Sequence, residues 1–167
     1  AGVPVHISHL KGSAPAEIES ILTYIDTVAL NEVSFSFDVY PYMPGSTMLN
    51  YMLPYEVWTD GPLGVIRKLR DPAVRARCAR ALENDATDLN EIHIAWVMGK
   101  ENAIYQGQTL AEYVRAVKLP PAEALCNLLI EENLAVLLVF HHGADELVHP
   151  FLQHKCYMMG TDGIYYP

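Results

Sequence analysis

Four side chains with chemical potential stand just after apolar, strand-like runs: His9, Tyr40, Ser46 and Asp162. A neutral imidazole and a carboxylate on one rim suit a metal ion and a general base. Tyr40 and Ser46 add hydroxyls that donate or accept. Ligand sites in α/β sheets and barrels lie at the C-terminal ends of strands, so four such groups in that position point to a site. A structural reading competes with this one. In it the tyrosines are a hydrogen-bonded aromatic rim, and Asp162 with Gly163 is a turn pair. His141-His142 also follows an apolar run, but adjacent strand residues point to opposite faces and do not readily share a metal.

Positioning these groups requires strands. Val33, Phe35, Phe37 and Val39 are apolar β-formers and read as a buried strand. Pro41 removes a backbone donor and Pro44-Gly45 makes a turn, so the stretch after Val39 reads as non-strand. Val3 to Ser8 reads as a first strand. Pro15 suits a helix start, and Ile18, Ile21, Leu22, Ile25 and Val28 recur at helical spacing over roughly 15–30. The result is a β-α-β unit, which predicts a parallel sheet. With Tyr157 to Thr161 as the last strand, segments 3–9, 33–39 and 156–161 are expected as parallel neighbours.

Between Met48 and Asp60 the chain reads as irregular and aromatic. Helices follow at Leu63–Leu69 and, after Asp71-Pro72, at Ala73–Glu83. Arg67, Lys68, Arg70, Arg75, Arg77 and Arg80 cluster there, which suits a solvated helical face or a phosphate site. Alternation at Ile92, Ile94, Trp96 and Met98 predicts a strand over about 91–98. Thr109 with Glu112 is a capping box, Pro120-Pro121 breaks that helix, and Pro121–Asn133 forms the next. Ala135–Phe140 reads as a buried strand that pairs with 91–98, and Asp145–Gln153 as a short helix. The intervening length far exceeds the usual barrel loop, so the expected organisation is a barrel segment over 1–47, a mainly helical insertion over 48–140, and a final helix and strand over 141–167.

The 167 residues are 51% hydrophobic and 19% charged, which describes a globular chain. A net charge of −9 argues against a nucleic-acid backbone or an anionic membrane surface as partner. No apolar run reaches the ~18 residues of a membrane span. The cysteines, Cys78, Cys126 and Cys156, lack paired spacing and suit thiols in a reducing cytoplasm. Both ends lie beside apolar strands, so a piece of a larger protein is expected. Open strand edges then imply self-association.

Ile7-Ser8-His9-Leu10-Lys11, Asp38-Val39-Tyr40-Pro41-Tyr42 with Gly45-Ser46-Thr47, and Met159-Gly160-Thr161-Asp162-Gly163 follow one another in the chain. In that order they resemble the D-aminoacylase (N-acyl-D-amino-acid deacylase) branch of the amidohydrolase superfamily. Gly107-Gln108-Thr109-Leu110-Ala111-Glu112 and the helix from Pro121 resemble that family's insertion. The resemblance implies an α/β fold, a partial TIM-type (β/α)8 metallo-dependent hydrolase barrel contributing strands six to eight, with a mostly helical insertion. It also implies zinc as cofactor and a small N-acyl amino acid as substrate. His9 matches a metal ligand, and Asp162 the aspartate that acts as general base. Lys11, Tyr40 and Ser46 match substrate-contacting positions, with Lys11 placed to pair with a carboxylate. The family's His-x-His pair, bridging cysteine and other histidine ligand have no counterpart here, and Thr161 stands where a serine is usual. The isolated chain is therefore expected to be inactive. A scaffold relative without the site, and an amidohydrolase acting on another C–N bond such as a cyclic amide, are the rival readings.

Overall fold

The computed structural model describes residues 2–84, 88–141 and 143–163. In chain order, β1 is Val5–Ile7, α1 is Pro15–Tyr24, α2 is Leu30–Glu32, β2 is Phe35–Val39 and β3 is Gly45–Met48. There follow α3 Gly61–Lys68, α4 Pro72–Asn84, β4 Ile92–Val97, α5 Leu110–Val117, α6 Pro121–Glu131, β5 Val136–Phe140, α7 His149–Leu152 and β6 Tyr157–Met159. They fall into two compact units, one from the described residues of 1–44 and 142–167, the other from 45–141.

The first unit holds a parallel sheet in the order β1-β2-β6. This is the arrangement that the β-α-β spacing predicts. Phe37 and Val39 point to one face and are fully buried. They pack with Ile18 and Ile25 from the α1 segment and with Val148 and Phe151, the last ring lying edge-on to Phe37. Helical spacing of Ile18, Ile21, Leu22 and Ile25 is what delivers this stripe. The helix expected over 15–30 is interrupted, however. Ile25–Ala29 widens into a π-turn between α1 and α2, where the Thr27 hydroxyl donates to the Thr23 carbonyl at 2.7 Å. Side-chain hydrogen bonding of this kind to the carbonyl four residues back is a recognised local disturbance of helices.

The second unit holds an antiparallel sheet in the order β3-β5-β4. Pairing of β4 with β5 follows the expectation for 91–98 and 135–140, with a register shift between Ile94 and Trp96. The strand β3 corrects the expectation that the chain after Val39 is non-strand. Pro44 lacks a donor, but it stands just before the first strand residue, a position that tolerates proline. Gly45 pairs with Phe140 and Met48 with Leu137, so a partner remote in sequence makes the strand. Likewise, residues 49–60 form two 3-10 turns, Leu49–Met52 and Tyr55–Asp60, instead of irregular chain.

Helices α3 to α6 cover this sheet. Val65, Leu69, Leu110, Leu128 and Leu129 reach zero or 1% exposure against Ile92, Ile94 and Leu138. The Thr109–Glu112 capping box is made in full and starts α5. Much of the basic cluster has protein partners: Lys68 pairs with Asp60 at 2.9 Å, and the Arg75 guanidinium bonds the Leu69 carbonyl, Glu123 and Asn127. Arg67, Arg70, Arg77 and Arg80 are exposed, as a solvated face expects, whereas Lys68 and Arg75 are half-buried on these partners. No helix is long and apolar enough to cross a membrane among the described residues.

Candidate functional site

The C-terminal ends of β1, β2 and β6 gather the chemistry in the first unit. Residues paired side by side in parallel strands share a face, and the register sets His6 beside Ser36 and Asp38 beside Met158. The face opposite the Phe37–Val39 core therefore carries His6, Ser8, Ser36 and Asp38. Their side chains form one network. His6 Nδ1 bonds the Ser36 hydroxyl at 2.8 Å and His6 Nε2 bonds Asp38 Oδ2 at 2.9 Å. The Ser8 hydroxyl donates to the same oxygen at 2.8 Å. The His9 backbone N–H donates to Asp38 Oδ1 at 2.8 Å. His6 and these donors hold the Asp38 carboxyl at about 2, well below its usual range.

His9 turns off β1 in a left-handed conformation, φ 58°, which histidine tolerates better than most residues. Its ring lies edge-to-face with the buried Tyr40 ring at 5.1 Å. Nδ1 lies 3.6 Å from Asp162 Oδ1, and Nε2 lies 3.8 Å from Asp38 Oδ1. Asp162 is also left-handed, φ 47°, as aspartate in a turn can be. Lys11 Nζ donates to the Met43 carbonyl at 2.8 Å. Burial lowers its pKa to about 8, against a raising pull from Asp162. Burial, then the charge of Asp162, pushes the Tyr40 phenol up to about 12. The Tyr42 ring lies tilted against that of Tyr40, and its hydroxyl donates to the Thr161 carbonyl at 2.8 Å, tying the β2 end to the β6 end.

Four of the residues singled out in the sequence therefore converge: His9, Lys11, Tyr40 and Asp162. Ser46 belongs to β3 of the second sheet, where its hydroxyl donates to the Leu138 carbonyl at 3.0 Å. Thr47 and Ser46 alternate sides once the strand forms, a placement that depends on β5. In the same unit His141 stacks edge-on with His93 at 4.8 Å, and His142 lies outside the described residues. Sequence reasoning missed Asp38, His6 and Ser8. The signal was present: polar residues at 6, 8, 36 and 38 alternate with apolar ones at 5, 7, 35, 37 and 39, but only the apolar set was read.

The donors present do not complete a zinc site. Among the described residues no three histidine, cysteine, aspartate or glutamate side chains could hold a metal ion together. His9 has carboxylates near both ring nitrogens, and both ring nitrogens of His6 are taken by Ser36 and Asp38, so the set falls short of the roughly three protein donors of a catalytic zinc site.

No protein-family model matches the chain, and no curated protein does. Solved structures do. An N-acyl-D-glutamate deacylase from Bordetella bronchiseptica, complexed with zinc and a phosphonate mimic of the tetrahedral intermediate, superposes with a TM-score of 0.59 at 19% identity. A D-aminoacylase described as defining a novel subset of amidohydrolases superposes at 0.58 with 20% identity. A D-aminoacylase structure concerned with a binuclear metal centre gives the same values. Each alignment covers 95% of this chain and 26% of the other, so the chain spans about a quarter of the length of the proteins it matches. The resemblance expected from the motifs is met at the level of the fold: this chain has the α/β fold of part of a D-aminoacylase-type amidohydrolase.

Proposed function

We propose that the chain is part of a metal-dependent amidohydrolase that hydrolyses the amide bond of N-acyl-D-amino acids. In this reading it supplies strands six to eight of a (β/α)8 barrel and an insertion over 48–140. Zinc is the expected cofactor, His9 the donor this chain contributes, and the rest of the protein completes the set. The observation that supports the reading is the convergence of His9, Lys11, Tyr40 and Asp162 at the ends of three parallel strands. Asp162 takes a proton from the attacking water and returns it to the leaving amine nitrogen, an acid–base role that needs a carboxylate within reach of solvent. Lys11 donates to the Met43 carbonyl at 2.8 Å and to the Pro44 carbonyl at 3.5 Å, and keeps its third N–H for a substrate carboxylate. Tyr40, with its phenol held protonated near neutral pH, acts as a donor to bound substrate. Ser46 is assigned to substrate contact in the assembled protein.

The test is Asp162→Asn in the full-length protein, assayed on N-acyl-D-amino acids with zinc content measured in parallel. General-base help is worth ~10²–10⁴ in rate, so kcat should fall by at least that lower bound while zinc is retained. A variant that keeps more than about a tenth of the wild-type kcat, well short of that range, would make Asp162 a turn residue and overturn its assignment as the base.

A further inference from the structure

We propose that Asp38 is the positioning residue of this site: its carboxylate holds the left-handed turn at His9 and so sets the imidazole beside Tyr40 and Asp162. This rests on reading His9 as a site residue. Three observations carry the role. The His9 N–H, placed by a left-handed residue that breaks the β1 ladder, finds its acceptor in Asp38 Oδ1 at 2.8 Å. The other oxygen, Oδ2, is held by the Ser8 hydroxyl and by His6 Nε2. His6 is in turn oriented by Ser36, so the carboxylate has little freedom to rotate. Finally, Gly160 lies directly against it: a Cβ there would sit 2.6 Å from Oδ1 and 3.1 Å from the carboxyl carbon. The Gly160 N–H bonds the Val39 carbonyl at 3.1 Å, which holds the β6 end in that position. One carboxylate thus meets the ends of all three parallel strands.

Hydrogen-bonded carboxylates on a half-buried polar sheet face can also be purely structural, stabilising the strands without orienting anything. The two roles differ in what happens to the His9 ring in a folded variant. In the full chain labelled at histidine and tyrosine, NMR cross-peaks between the His9 and Tyr40 rings report their contact. Cross-peaks between Phe37 and Phe151 report an intact core. Asp38→Ala should lose the His9–Tyr40 cross-peaks while keeping the core ones. Asp38→Asn keeps an amide oxygen for the His9 N–H and should restore the contact. Gly160→Ala keeps the carboxylate but displaces it, and should weaken the contact. Unchanged His9–Tyr40 cross-peaks in Asp38→Ala would overturn the assignment. If that variant does not fold, unchanged cross-peaks in Gly160→Ala would do so. Loss of the contact in Asp38→Asn as complete as in Asp38→Ala would also overturn it. The readout involves no amide hydrolysis, so its failure removes the role of Asp38 alone, whereas failure of the Asp162→Asn assay removes the proposed base.

Discussion

The ammonium of Lys11 stands over the ring of Tyr40, 3.7 Å from its centroid, and donates to the Met43 carbonyl. The ring's negative face attracts the cation, yet burial dominates and lowers the pKa from 10.5 to about 8. The folded state therefore binds fewer protons than the unfolded chain between these two values. Stability should rise as pH goes from about 8 towards 10.5, because charged Lys11 is costly to bury only while it is charged. Denaturant midpoints measured across that interval should show this rise, and Lys11→Met should lack it. Equal pH slopes in the two proteins would show that Lys11 does not titrate in this way.

The buried Glu132 holds the second unit together at the end of α6. Its carboxylate accepts from the Gly99 N–H and from the Asn102 side-chain amide, and only 2% of the residue is exposed. Removing it takes the acceptor from the half-buried Gly99 N–H and one of two acceptors from the Asn102 amide, which keeps Glu131 at 3.1 Å, and a lost partner of this kind costs about 1–3 kcal/mol. Glu132→Ala should lower stability by roughly 2 kcal/mol or more, and Glu132→Gln by less. Gly99→Ala should also destabilise, since its Cβ would lie 2.7 Å from Glu132 Oε1. Urea unfolding of the three variants measures this. A Glu132→Ala midpoint equal to wild type would contradict it.

Exposed apolar residues line the borders of the parallel sheet. Val5 and Ile7 on β1 are 40% and 41% exposed, and Met158 and Met159 on β6 are 55% and 65% exposed. Each of these strands pairs on one side among the described residues. Open edges and apolar borders invite strand addition. In solution the isolated chain should show a mass above 18.6 kDa by light scattering, and Val5→Lys should shift it towards the monomer. A wild-type chain that stays monomeric at every concentration would count against self-association.

Local patterns in the sequence settled the elements whose causes are local. Helical spacing located α1, α3, α4 and α6, and the Thr109–Glu112 pair located the start of α5. Apolar β-branched and aromatic runs located β2, β4 and β5. The β-α-β order was enough to expect parallel strands with His9, Tyr40 and Asp162 at their ends. Tertiary structure decided the rest, because the causes lie far apart in the chain. Gly45–Met48 is a strand only because β5 supplies its partners, and that pairing puts Ser46 in the antiparallel sheet. Asp38 reads in sequence as one acid inside an apolar strand. Its meaning comes from His6 on β1 and from Ser8 and His9 just after it, 29 to 32 positions away, and from Gly160 on the far side. Side-chain period tells which face a residue takes; only the register between strands tells which neighbours share that face.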